Sequence, residues 1–327
     1  MQTKNFLGLK QLVAPLSLTA TIALSFCSQA SAITLGYADG YNVFVFGNMT
    51  QTSDSQGRVA VGGNAILTSF GTADRLARSN VPANQLVVGG NLVYTNGQVF
   101  GGNAVYGGTA TLTNVGIPDG QFIQGNPIDF ATAQQELTGL SSALGQLNAN
   151  GTTRVEAWGG IYLTGQDANL NVFTLNGSDL SAARFFEINA PAGSTVVVNV
   201  TGQTITLSNF GMQINGTDKQ NVLYNFVNAT SLSSNGFTFQ GSVLAPLAQY
   251  DFNNGNIEGT LVAASVSGNG EFHNYLFAGN LPNLPVSDPQ PPTASTSVPE
   301  PTTLAGLGLV AATGVVLRRK GKQKVAN

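Results

Sequence analysis

Residues 241–277 read GSVLAPLAQYDFNNGNIEGTLVAASVSGNGEFHNYLF, and this stretch repeats itself. The run Gly241-Ser-Val-Leu-Ala245 returns 18 residues later as Gly259-Thr-Leu-Val-Ala263. A recurring shape of this kind is typical of successive coils of a β-solenoid, because each coil buries the same positions. The repeat predicts that Val243 stacks on Leu261 and Ala245 on Ala263 at the spacing of neighbouring strands. Since side chains alternate along a strand, Ser242 and Thr260 should form an exposed pair.

A second motif recurs earlier in the chain. Val61-Gly-Gly-Asn64, Val88-Gly-Gly-Asn91 and Phe100-Gly-Gly-Asn103 share one frame. Paired glycines permit a backbone corner, and asparagine tolerates the left-handed conformation. If these corners stack, Asn64, Asn91 and Asn103 should form a hydrogen-bonded ladder. The alternative is three unrelated glycine-rich turns.

Composition limits the class of protein. Of the 327 residues, 42% are hydrophobic and 9% are charged, and 40 are glycine. Short alternating runs split by Gly, Asn and Ser indicate an extended, turn-rich β protein. Between Ile33 and Pro301 there are 6 basic and 16 acidic residues, so the surface repels polyanions and we expect no nucleic-acid partner.

Residues 1–32 have the pattern of a signal peptide. Lys4 and Lys10 precede a short apolar core, and Ala30-Ser31-Ala32 forms an A-x-A cleavage site for signal peptidase. The only cysteine, Cys27, lies within this segment, so cleavage after Ala32 leaves no thiol for disulfides or metal binding.

Residues 127–147 break the β pattern. Apolar residues recur there at spacings of three and four, which predicts one long amphipathic helix. We expect it to pack along the solenoid and cover an apolar face. Binding a partner is the less favoured alternative.

The C-terminal part has two distinct segments. Residues 283–297, rich in Pro, Ser and Thr, should form an extended linker. Val298-Pro299-Glu300-Pro301 then precedes sixteen uncharged residues, 302–317, and the cations Arg318, Arg319 and Lys320. This pattern predicts a short, transiently inserted transmembrane helix with its basic end in the cytoplasm.

Residues 298–327 resemble a PEP-CTERM sorting signal, in which a Pro-Glu-Pro motif, a short hydrophobic helix and a basic end follow in this order. The resemblance implies a Gram-negative-type envelope, an exosortase-type sorting enzyme as partner, and processing near Val298 to Pro301. Proteins with this signal often accompany exopolysaccharide and biofilm production.

The body, residues 33–282, is similar to the choice-of-anchor A domain of bacterial surface proteins. The matching residues are Arg58-Val-Ala-Val-Gly-Gly-Asn64, Gly241-Ser-Val-Leu-Ala-Pro246, Gly255-Asn-Ile-Glu-Gly-Thr-Leu-Val-Ala263 and Gly270-Glu-Phe-His273. The resemblance implies an adhesive, non-enzymatic domain related in shape to ice-binding proteins. The expected fold is therefore a mainly β, right-handed β-solenoid (β-helix) with one long helix packed along it.

The sequence contains few candidate catalytic or metal-binding residues. His273 is the only histidine, and Glu271 could share its strand face, which favours a structural hydrogen bond over catalysis. Asp251, Glu258 and Glu271 could be read as the carboxylates of a glycosidase, although solvated turn residues are the better interpretation. The GGN corners lack the aspartate of calcium-binding repeats. The sequence thus predicts no catalytic residue, cofactor or metal ligand.

Three functions remain open. The leading hypothesis is an exported adhesin of the cell surface, outer envelope or extracellular matrix that binds exopolysaccharide or other surfaces in a biofilm. The alternatives are a polysaccharide-active β-helix enzyme and an ice-binding protein. Threonine rows would favour ice binding, but only scattered groups are visible, Thr109, Thr111 and Thr113 and separately Thr204 and Thr206, and β-propensity accounts for them.

Overall fold

The computed structural model describes residues 34–78 and 83–284. Within these residues there are two α-helices, α1 over Phe130–Gly145 and α2 over Gly177–Ser181. The strands in chain order are β1 Tyr41–Val45, β2 Met49–Ser55, β3 Arg58–Val61, β4 Ala65–Thr72, β5 Ala83–Val88, β6 Leu92–Val99, β7 Gly102–Tyr106, β8 Ala110–Gly116, β9 Phe122–Gln124, β10 Thr152–Val155, β11 Gly160–Thr164, β12 Leu170–Asn176, β13 Phe185–Ala190, β14 Thr195–Thr201, β15 Thr204–Ser208, β16 Gly211–Gly216, β17 Val222–Phe226, β18 Ser231–Asn235, β19 Thr238–Phe239, β20 Ser242–Asn253, β21 Asn256–Glu258, β22 Leu261–Gly268 and β23 Glu271–His273.

Parallel pairing stacks these strands into coils, so the mainly β solenoid expected from the repeat is confirmed. The first face contains ten parallel strands in the order β12, β14, β17, β20, β22, β1, β3, β5, β7 and β9. Val243 pairs with Leu261 and Ala245 with Ala263, as the repeat predicts. These inward-pointing side chains are fully buried in a continuous apolar core.

The order of the coils in space differs from their order in sequence. The chain descends from β1 to β9 and crosses through α1. It then resumes at β12, the opposite end of the first face, and descends to β22. There β22 pairs with β1, so the last coil lies on the first. Asn42 ties the two together, because its side-chain amide donates to the carbonyls of Gly259 and His273 at 2.6 and 3.0 Å.

Two further faces complete the coils. The second face contains eight parallel strands in the order β15, β18, β20, β22, β2, β4, β6 and β8. Each of β20 and β22 contributes to both faces by bending between them, and the pairing between them shifts register after Ala245. The third face includes β19, β21 and β23, and a separate sheet of β10, β11, β13 and β16 lies towards the β12 end.

Helix α1 covers the outer side of the first face, as expected from its apolar periodicity. The helix begins after Asp129, whose carboxylate caps it by accepting hydrogen bonds from the backbone of Ala131 and Thr132. Leu137 and Leu144 pack in one cluster with outward side chains of the first face, among them Phe44, Leu244 and Val262.

The expected exposed pair is wrong, because Ser242 and Thr260 are 0% and 2% exposed. The alternation along each strand holds, but the outer side of the first face is covered. The backbone of Phe277 donates to the Thr260 hydroxyl, which itself donates to the Tyr41 carbonyl. The Ser242 hydroxyl in turn accepts from the Thr260 backbone. The residue pattern of a single strand does not show whether a distant segment of the chain covers its outer side.

The asparagine ladder exists, but with different members. The side-chain oxygen of Asn48 accepts from the backbone of Asn64, that of Asn64 from Asn91, and that of Asn91 from Thr109, at 2.8–2.9 Å. Asn103 instead lies in β7 and accepts from Gln121 at 3.0 Å. The equivalent of the two earlier Gly-Gly corners is Gly107-Gly108, where threonine follows in place of asparagine.

Candidate binding surface

The solvent side of the second face carries rows of hydroxyl groups, and we name this surface the hydroxyl face. One row, the threonine row, consists of Thr52, Thr68, Thr95 and Thr113 at registered positions of β2, β4, β6 and β8. Neighbouring members are one strand apart, at about 4.8 Å. The alternation of the strands aims these four side chains outward, while Leu67, Tyr94 and Phe70 fill the core.

A second row lies one pleat away and continues across the junction between the two halves of the chain. It contains Thr206, Ser233, Asp251, Ser267 and Thr50, again at registered positions. The Ser233 hydroxyl donates to that of Thr206 at 3.1 Å. Beyond Thr50 the row turns apolar with Ile66 and Val93, which are 46% and 39% exposed, before ending at Thr111.

Small side chains in the second row leave a groove of about 490 Å³ in the hydroxyl face. Serine and threonine hydroxyls line it together with the Gln249 amide and the Asp251 carboxylate. The groove is open and polar, and its walls belong to a rigid parallel sheet. It therefore offers many hydrogen-bond donors and acceptors at fixed spacing, with one acidic group.

Sequence reasoning missed these rows because their members are far apart along the chain. Consecutive residues of the threonine row follow the coil separations of the asparagine ladder, which are 16, 27 and 18 residues. The interpretation of the threonines as scattered is therefore corrected. The signal that could have found them was the Asn48–Asn64–Asn91 register. Thr52, Thr68 and Thr95 each lie four positions after one of these asparagines, and Thr113 lies four positions after Thr109.

The three carboxylates considered for catalysis lie on two faces. Asp251 belongs to the hydroxyl face, whereas Glu258 and Glu271 lie on β21 and β23 of the third face. The His273 imidazole is 2.7 Å from Glu258 and 3.4 Å from Glu271. The expected hydrogen bond between His273 and Glu271 is thus present, although the shorter contact is to Glu258.

Glu258 is the centre of a small ion cluster. Lys219 donates to its second oxygen at 2.7 Å and also lies over the Tyr275 ring. Burial opposes ionisation of Glu258, but the hydrogen bonds from Lys219 and His273 outweigh it and hold the pKa of Glu258 below its usual value. The arrangement clamps β21, β23 and the turn before β17, which is a structural role. Within residues 34–78 and 83–284, no cluster of three acidic, histidine or cysteine side chains is arranged to hold a metal ion.

The processing residues Ala30, Ala32 and Val298 to Pro301 and the flank Arg318, Arg319 and Lys320 lie outside the described residues. So does the hydrophobic segment 302–317. Within the described part, no helix is long and apolar enough to cross a membrane.

Comparison with known proteins agrees with this architecture. Residues 34–274 match the family described as "Putative Ice-binding-like adhesive domain". The chain belongs to this family. Residues 297–320 match the PEP-CTERM protein-sorting motif, the kind of signal that an exosortase-type enzyme processes. Together the two matches identify an exported cell-surface protein of a Gram-negative-type bacterium.

Solved structures give distant similarities. An ice-binding protein from an Antarctic Biological Consortium is 15% identical, with a TM-score of 0.35, over 81% of this chain and 95% of that one. An ice-binding protein from the Antarctic ascomycete Antarctomyces psychrotrophicus is 16% identical, with a TM-score of 0.29, over 74% and 98%. One from an Antarctic bacterium of the Flavobacteriaceae is 16% identical, with a TM-score of 0.28, over 74% and 81%. No curated protein matches the chain in sequence.

Proposed function

We propose that this protein is a surface adhesin that binds exopolysaccharide in a biofilm through its hydroxyl face. The supporting observation is the second hydroxyl row, which crosses from Ser267 to Thr50 at the junction of the two halves and lines the open groove, with the threonine row beside it on β2, β4, β6 and β8. A polysaccharide presents hydroxyls at regular intervals, and a sheet presents matching groups at the strand spacing. Because the sheet is rigid, little conformational freedom of the protein is lost on binding.

Export and anchoring complete the proposal. Signal peptidase removes residues 1–32 after Ala32, and residues 283–297 act as a linker. Residues 298–327 are the sorting segment, in which 302–317 insert transiently in the membrane and Arg318, Arg319 and Lys320 stay in the cytoplasm. An exosortase-type enzyme then cleaves near Val298 to Pro301. The intact mass of the mature protein tests this order, and a product that retains Arg318 would contradict it.

Retention of the secreted body, residues 33–282, on immobilised polysaccharides tests the binding site. We expect the double variant Ser233→Gln, Ser267→Gln to fill the groove and to lower retention at least about tenfold, because both residues line it. The matched control is Ser142→Gln on the solvent side of α1, an exposed serine far from the groove. Equal retention of wild type and double variant would overturn the assignment to the groove.

Ice binding is the second candidate, and the threonine row favours it. Four registered threonines on neighbouring strands present hydroxyls and methyl groups in a flat array that can order water. Ice-crystal shaping by the secreted body measures this directly. Unaltered crystal growth, or shaping that survives Thr68→Asp and Thr95→Asp together, would remove ice as the ligand of this row.

A polysaccharide-cleaving activity has no comparable support. Glycosidases use two carboxyl groups about 5–9.5 Å apart, and Asp251 is the one acidic residue that lines the groove. We propose that the domain binds without catalysis. An assay of reducing ends released from the same polysaccharides tests this, and release abolished by Asp251→Asn would contradict it.

A further inference from the structure

A second surface has the composition of a binding site, and it lies on the sheet of β10, β11, β13 and β16. We name its solvent side the cap patch. Register places Arg154, Tyr162, Glu187 and Gln213 in one line across the four strands. Because side chains alternate, these residues face outward while Ile161, Leu163, Phe186 and Ile188 fill the core.

The only tryptophan of the chain, Trp158, sits at the edge of this patch and is 55% exposed. It belongs to the tight turn between β10 and β11, where the backbone of Gly159 donates to the Glu156 carbonyl at 2.9 Å. The indole lies directly over Gly160, since a Cβ at that position would be 2.3 Å from its ring. Glycine therefore makes room for the indole, one side of which rests on the sheet.

Two more aromatic rings extend the surface. Phe185 pairs with Gly160 on the neighbouring strand, and its ring is 5.9 Å from that of Tyr162. The Arg154 guanidinium lies 4.1 Å from the centre of the Tyr162 ring, which holds that ring in place. The exposed indole of Trp158 thus stands beside two half-buried aromatic rings on one sheet. Such a group is unusual for a surface with no function, because aromatic area is normally buried.

The rest of the patch is a chain of hydrogen-bonded polar groups. Gln213 donates to Asn215, Asn215 to Asn189, and Asn189 to the Glu187 carboxylate, at 3.0, 2.8 and 2.5 Å. These bonds orient the amides and leave further donor and acceptor positions directed to solvent. An apolar platform thus adjoins an ordered polar strip on one flat face.

The charges of the patch balance. Arg154 forms an ion pair with Glu156, and Glu187 adds a second carboxylate. Arg184, exposed beside Gly159, has no ion-pair partner among the described residues. Two cations and two anions favour a neutral ligand, and a body rich in acidic residues repels polyanions.

We propose that the cap patch is a second glycan-binding site that stacks a neutral pyranose ring on the exposed Trp158 indole, with Tyr162 and Phe185 at the edge of the platform. Stacking covers the apolar faces of the sugar, while the amides of Gln213 and Asn189 and the Arg184 guanidinium bond its hydroxyls. The inference goes beyond the proposed function, because it assigns glycan binding to a site other than the groove. A domain with two such sites can cross-link polysaccharide chains and gain avidity.

Because the chain has one tryptophan, its fluorescence reports on the cap patch alone. The secreted body is titrated with cellohexaose, mannohexaose and maltohexaose, with hexagalacturonate as the acidic comparison. We expect a saturable blue shift and weaker acrylamide quenching with at least one neutral sugar. Tyr162→Ala should weaken that binding about tenfold. Tyr37→Ala, at an exposed tyrosine before β1, is the control and should bind like the wild type.

The outcomes separate this site from the groove. Calorimetry on Trp158→Ala and on the groove variant Ser233→Gln, Ser267→Gln measures the loss of glycan affinity at each site separately. Thermal melting confirms that both variants fold. Unchanged emission with all three neutral sugars, equal affinity of Tyr162→Ala and wild type, or stronger binding of hexagalacturonate would each overturn the inference. If retention on polysaccharide persists while emission stays unchanged, the proposed adhesion stands and the cap patch fails.

Discussion

At the scale of single residues, Thr260 and Leu261 show that burial depends on what covers a strand. Leu261 points into the core between Val243 and Val43. Thr260 points the other way but is held between the Tyr41 carbonyl and the backbone of Phe277. Both positions therefore exclude water, one by core packing and the other by the covering segment.

We expect Leu261→Asp and Thr260→Asp both to destabilise the body. The first buries an unpaired charge among aliphatics and should lower the free energy of unfolding by at least about 3 kcal/mol. The second directs a carboxylate at the Tyr41 carbonyl and should cost about 2 kcal/mol. Thr52→Asp on the exposed threonine row is the control, with a change within about 0.5 kcal/mol. A thermal melt of Thr260→Asp that matches the control would contradict the burial of Thr260 beneath the segment around Phe277.

The Glu258 cluster predicts a pH dependence. Hydrogen bonds in the folded state hold the pKa of Glu258 below its unfolded value despite burial. The unfolded state therefore binds this proton first, and the stabilisation is present at neutral pH and lost as the pH falls below about 4.3. Glu258→Gln should flatten the acid limb of a plot of Tm against pH. Glu136→Gln, exposed on α1, should leave that limb unchanged, and identical profiles for both variants would show that the cluster contributes nothing.

At the scale of elements, α1 is fixed to the first face by a buried polar network as well as by apolar packing. The Asn225 amide donates to the Ser141 carbonyl and to the Asn199 side chain, and it accepts from the Ser141 hydroxyl. Asn199 donates in turn to the Leu144 carbonyl. All four bonds measure 2.6–2.9 Å, and they define the position of the helix along its axis.

We expect Asn225→Ala to lower the free energy of unfolding by about 2 kcal/mol, because it leaves buried polar atoms of Ser141 and Asn199 without a partner. In a double-mutant cycle, adding Ser141→Ala should cost less than it does alone. Ser142→Ala, on the solvent side of the same turn, is the control. Strictly additive losses measured by denaturant unfolding would show that the two residues act separately.

The helix itself could be predicted from the sequence, whereas this network could not. Leu137, Leu140 and Leu144 carry the period of a helix within their own segment. Asn199 and Asn225 lie in strands far along the chain, and nothing local distinguishes them from the asparagines of exposed turns. The expected exposed pair at Ser242 and Thr260 was wrong for the same reason, because segments distant in the sequence determine whether these positions are buried.

At the scale of the whole molecule, the crossover through α1 joins two stacks of coils into one. The repeat at Gly241 and Gly259 predicts stacking of neighbours in sequence, and that part is confirmed. The pairing of β22 with β1 and β2 joins segments more than two hundred residues apart, and no local pattern indicates it. The hydroxyl face depends on this junction, because its second row passes from Ser267 to Thr50 there.

The central claim is that both halves of the chain build one continuous hydroxyl face, and a designed disulfide tests it most directly. Thr50 and Ser267 are exposed, registered neighbours on β2 and β22, at a spacing that a disulfide can bridge. The body after residue 32 has no cysteine of its own, so Thr50→Cys, Ser267→Cys creates the only pair. The control pairs Thr50→Cys with Ser142→Cys on α1. Under mild oxidation the first pair should form an intramolecular disulfide in nearly all molecules, detected by non-reducing electrophoresis and peptide mass, and the control should not. A first pair that stays reduced, or that links only between molecules, would contradict the junction and the continuous face with it.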